Sequence, residues 1–66
     1  MKSMHIKEFS KFLRESRKQK GFSQSELARK SGFTRRAIQY WEKGEKSISL
    51  ENADKLLKAL GIQLII

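Results

Sequence analysis

Four glycines and no proline divide this chain of 66 residues into segments of helical length, with Gly21, Gly32, Gly44 and Gly61 as the punctuation. Between them the apolar residues recur at helical spacing, so the expected architecture is a set of short helices. A chain this short is a single domain. It buries only about 60% of the surface its unfolded form exposes. It has no cysteine, so disulfides and thiolate metal sites are excluded as staples, and tight helix packing or self-association must supply stability instead.

The first helix is read from about Ile6 to Gln19, with Ile6, Phe9 and Leu13 on one face and Phe12 widening the apolar stripe. Ser23 and Glu26 form a capping box that opens a second helix, flanked by the staple pair Phe22 and Leu27. Thr34 caps a third helix, with Phe33 and Ile38 as its staple and Gly44 as its stop. A fourth starts after Ser49 and ends at Gly61, its apolar face carried by Ala53, Leu56, Leu57 and Leu60. Residues 62–66, β-branched and apolar, read as a short strand, which would need an edge to pair with. Residues 1–5 read as a flexible N-terminus and residues 6–61 as the folded domain.

Lysines and arginines number 15 against seven acidic residues, a net charge of +8. Residues 1–20 hold seven basic and two acidic groups, residues 21–46 six and three, and residues 47–66 two and two. A positive field on the first two thirds of the chain attracts polyanions. No segment approaches the roughly 18 apolar residues of a membrane span, and the first ten residues lack a signal-peptide core. A cytoplasmic chain without membrane contact is expected. With His5 as its one histidine, no cysteine and no glycine-rich phosphate loop, the sequence holds no catalytic or metal-binding constellation. Neither an enzyme nor a cofactor is expected.

The window from Gln24 to Trp41 is the most informative. Ala28 is small where another helix would approach it, Gly32 permits a left-handed turn, and Ile38 and Trp41 point inward one turn apart. Together with the stretch Phe22–Thr34, this pattern resembles the Cro and phage-repressor (XRE) helix-turn-helix family over about residues 6–61. That resemblance implies an all-α, lambda-repressor-like bundle of four or five helices. It also implies a homodimer bound to pseudo-palindromic double-stranded DNA, with helix 3 in the major groove.

By the same resemblance Gln24 is a phosphate contact at the start of helix 2, and Ser23, Thr34, Lys46 and Ser47 are further backbone contacts. Arg35, Arg36 and Gln39 occupy the family's base-reading positions. Arginine can bind guanine O6 and N7 and glutamine can bind adenine; the alternative for the two arginines is a grip on phosphates that reads no sequence. Tyr40 either touches the DNA or packs against the next loop. Arg17 and Glu42 match a family ion pair that orients helix 3. The ending Leu57–Ile66 is similar to HipB-like antitoxins, in which a terminal strand pairs across the dimer. Ile62, Leu64, Ile65 and Ile66 are then dimer contacts, and a toxin protein is an alternative partner to the repressor reading.

Overall fold

The computed structural model describes residues 6–45 and 47–62. Four helices follow in order, α1 (Ile6–Gln19), α2 (Gln24–Ser31), α3 (Arg35–Lys43) and α4 (Leu50–Ala59). The last three begin on hydroxyl caps. Ser23 Oγ accepts from the Glu26 N–H at 3.0 Å while the Ser23 N–H donates to the Glu26 carboxylate at 3.0 Å. Thr34 Oγ1 accepts from the Ala37 N–H and Ser49 Oγ from the Asn52 N–H, both at 3.1 Å. Each cap satisfies a donor that the helix itself leaves unpaired, worth about 1 kcal/mol.

The core is built from one stripe of each helix. Phe9 and Leu13 of α1, Leu27 of α2, Ile38 of α3, Leu56 and Leu57 of α4 and Leu60 at its C-cap are fully buried, with Ile48 buried beside them. α3 packs on α1 and α2, and α2 packs on α4. Phe33, in the turn between α2 and α3, meets Trp41 edge to face with ring centres 5.0 Å apart. This aromatic contact fixes the turn against the last turn of α3. Phe12 departs from its expected place in the apolar stripe: it is 44% exposed, one residue round the helix from the buried face.

The expected C-terminal strand is a correction. The described residues form four helices and no strand, and no fifth helix. Ile62 belongs to the end of α4, where its N–H donates to the Leu57 carbonyl at 2.8 Å and the Gly61 N–H donates to Lys58 at 3.0 Å. That pairing, with Gly61 at φ +76°, is a Schellman closure, which places an apolar residue directly after the glycine. The Ile62 side chain packs against the core. Its apolar character therefore serves a helix cap. Among the described residues of the chain there is no strand edge for the segment to pair with. Leu64, Ile65 and Ile66 lie outside the described residues.

Candidate nucleic-acid interface

The face of α3 that turns away from the core is polar and cationic. Ile38, Trp41 and Glu42 are buried, whereas Arg35, Arg36 and Lys43 are exposed and Gln39 and Tyr40 half-buried. At 100° per residue the five outward positions cover one continuous side of the helix. Among the described residues the ion pairs are Arg17–Glu42 and Lys58–Asp54, so the three cations of α3 carry their charge outward unneutralised. Lys43 was not among the residues singled out from the sequence. Its spacing, four residues after Gln39 and seven after Arg36, was the available signal.

Thr34, Arg36, Ala37, Tyr40 and Trp41 line an open concavity of about 290 Å³ on this side. Its walls are mostly aromatic and aliphatic, with the Arg36 guanidinium and the Thr34 hydroxyl as polar elements. Thr34 sits at the N-terminus of α3, where partial positive charge from the helix dipole adds to the arginines.

Behind the face lies a three-residue network. Arg17 reaches from α1 to Glu42, with Nε 2.6 Å from Oε2 and Nη2 3.0 Å from Oε1. Its third donor, Nη1, goes to the Phe22 carbonyl at 2.9 Å. The same Glu42 Oε1 accepts from Gln24 Nε2 at 3.1 Å. One carboxylate thus ties the end of α3 to the C-terminal turn of α1 and to the first residue of α2. The Gln24 amide keeps a second N–H available for another acceptor. The Gln24 link was not evident from the sequence, because nothing in the spacing of residues 24 and 42 specifies it.

The backbone-contact candidates are distributed around this core. Ser23 and Thr34 are exposed caps whose oxygens accept from the backbone and whose hydroxyl protons can still be donated. Ser47 is exposed in the connection between α3 and α4, and Lys46 lies outside the described residues. Among the described residues no group of histidine, cysteine or carboxylate side chains is arranged to hold a metal ion. No described helix is long and apolar enough to cross a membrane.

Two helices joined by a glycine turn, the second offering an unpaired cationic face and the first offering its N-terminus beside it, constitute a helix-turn-helix unit. The chain belongs to the helix-turn-helix family of the XRE type, whose sequence profile HTH_3 matches residues 13–65. It is 38% identical over 56 residues to a protein of Sulfolobus acidocaldarius named as an HTH-type transcriptional regulatory protein. That match takes in 85% of this chain and 18% of the relative, so the chain spans under a fifth of the length of the curated relatives it matches. Among solved structures it is similar to the restriction-modification controller protein C.AhdI from Aeromonas hydrophila, with a TM-score of 0.84 and 41% identity over 88% of this chain and 84% of that one. The controller C.Esp1396I, solved as a tetramer on its natural 35 base-pair operator, shares the fold at a TM-score of 0.86 and 24% identity, covering 94% of this chain and 82% of that one.

Proposed function

We propose that this chain is a sequence-specific DNA-binding regulator of transcription. In this reading a homodimer places two copies of α3 in successive major grooves of a pseudo-palindromic operator, about one helical turn apart. Occupancy of a promoter then represses it. The observation that carries the reading is the outward face of α3, where Arg35, Arg36, Gln39 and Lys43 stand together on a helix anchored from behind by Glu42.

Roles follow from chemistry. Arg35 and Arg36 suit bidentate contact with guanine, and Gln39 suits adenine. Tyr40 and the concavity beside it suit a thymine methyl or a sugar edge. Gln24, Ser23, Thr34 and Ser47 donate to phosphates and set the register without reading sequence. Lys43, a flexible point charge, belongs with the phosphate contacts.

The similarity to C.AhdI over most of both chains favours one class of target, the genes of a restriction-modification system under control of a small regulator. The antitoxin alternative rests on the resemblance of the ending Leu57–Ile66, with its terminal strand, to HipB-like antitoxins. Ile62 is part of the α4 cap, and the relatives named above are transcriptional regulators and controller proteins, which supports the regulator reading over the antitoxin one.

The test is a titration of labelled DNA from upstream of the chain's own gene against a shuffled duplex, at about 0.15 M salt, where surface charges are screened beyond about 8 Å. Preference for the native duplex by about a thousandfold supports the reading. Equal affinity for both duplexes overturns operator recognition at that site.

A further inference from the structure

α1 has two exposed flanks of opposite character. Lys7, Lys11, Arg14 and Lys18 recur at intervals of four, three and four residues, which confines them to an arc of about 60° at 3.6 residues per turn. Glu8, Phe12 and Glu15 occupy the other flank. All four cations are exposed, and among the described residues none of them joins an ion pair. Successive members are like-charged helix neighbours, an arrangement that weakens a helix. Glu8 and Glu15, three or four residues from Lys11 and Lys18, offset part of that cost without forming an ion pair with them.

The cationic flank lies next to the side of α1 that meets α3. Ser10 donates to the Trp41 carbonyl and Arg17 to Glu42, and Arg14 projects beside both positions on the helix surface. The two ends of the stripe reach the zones assigned above to phosphate contact. At one end Lys7 abuts the C-cap of α3, where a Cβ added to Gly44 would lie 3.8 Å from Lys7 Cγ. At the other end Lys18 lies in the last turn of α1, where its carbonyl accepts from the Gly21 N–H at 3.0 Å in the turn that leads to Ser23 and Gln24.

We propose that this stripe of α1 is a second backbone-binding edge, which follows the DNA phosphates alongside the half-site that α3 reads. The inference rests on the regulator reading for its orientation. It adds a sequence-independent grip that joins the start of α2 to the loop after α3. The partner is the polyanionic backbone of duplex DNA, recognised as charge, because exposed lysines contribute no base geometry.

The experiment compares two variants of equal charge. Lys11→Gln/Arg14→Gln removes two stripe cations, and Lys55→Gln/Lys58→Gln removes two from α4, with far-ultraviolet circular dichroism confirming that both fold. Binding to the upstream duplex and to the shuffled duplex is measured over a series of salt concentrations. The stripe variant is expected to flatten the slope of log K against log salt by about 1 to 2, since each lost phosphate contact accounts for about one. It loses affinity equally on both duplexes, about tenfold at 0.15 M salt, and the α4 variant keeps the wild-type slope. A stripe variant with the wild-type slope, or one matched by the α4 variant, overturns the proposal and leaves the four side chains as a solvated face. The slope is read on the shuffled duplex as well, so the stripe is decided separately from operator recognition, which rests on the preference of the wild-type chain for the upstream duplex.

Discussion

Arg17 and Glu42, 25 residues apart in sequence, meet through two parallel N–H to oxygen contacts of 2.6 and 3.0 Å, with side chains only 12% and 4% exposed. Removing one partner of such a pair strands the other charge in a poorly solvated place. Glu42→Ala is therefore expected to cost about 3–5 kcal/mol, against a total stability for a domain of this length on the order of 3–10 kcal/mol. Urea denaturation would show the unfolding midpoint moved strongly toward zero denaturant. The double replacement Arg17→Met with Glu42→Leu removes both charges and should recover most of the loss. It should still weaken operator binding, because Gln24 and α3 no longer share an anchor.

Base reading and backbone gripping make different demands on the arginines of α3. A side chain bidentate to guanine carries about 1–3 kcal/mol of discrimination. Arg36→Ala and Arg35→Ala, measured by competition between the upstream and shuffled duplexes, should therefore lower affinity for the upstream duplex about fivefold to 150-fold, with a smaller change on the shuffled one. Lys43→Gln should lower both alike. If an arginine variant also lowers both alike, that arginine grips phosphate.

Gly32 and Gly44 have nearly the same backbone, φ +81° and +73°, but different surroundings. An added Cβ at Gly32 meets nothing within 4 Å, so Gly32→Ala bears the cost of the left-handed backbone alone, about 1–2 kcal/mol. At Gly44 the same atom would fall 3.2 Å from Ser10 Oγ, and that hydroxyl is committed to the Trp41 carbonyl. Gly44→Ala should therefore be the more damaging by about 1 kcal/mol, of the order of the hydrogen bond it disturbs. Thermal melts of the two variants, recorded side by side, give the difference directly.

Much of this fold was legible because its punctuation is local chemistry. Ser23 with Glu26, Thr34 and Ser49 announce helix starts, and Trp41 follows Ile38 into the core at the spacing that a helix requires. The Arg17–Glu42 pair could be named only through a family resemblance, since 25 residues of chain carry no local signal for a tertiary contact. Gln24 joining that pair, and Lys43 completing the α3 face, depend on where three helices meet. Ile62 was misread for a physical reason. Gly21-Phe22, Gly32-Phe33 and Gly61-Ile62 all place an apolar residue after a glycine at a helix end, and at the first two positions the following helix makes the cap obvious. After Gly61 the neighbouring apolar residues made a strand the simpler pattern. Phe12 shows the converse error, an apolar residue at a plausible helical offset that lies just outside the buried arc.

These two misread residues separate a cap from an intermolecular strand. Ile62 is half-buried against the core and follows the Schellman closure, so Ile62→Ser should cost about 1–2 kcal/mol, part of the value of a fully buried isoleucine. Because the contact is within one chain, the drop in melting temperature should be the same at low and high protein concentration. A strand paired across a dimer would instead give a loss that changes with concentration, as mass action requires. Phe12→Ser, on the exposed flank of α1, should alter stability by no more than about 0.5 kcal/mol at any concentration. If instead Phe12→Ser is the destabilising change and its effect grows with protein concentration, the Glu8, Phe12 and Glu15 flank is the surface on which copies of this chain associate.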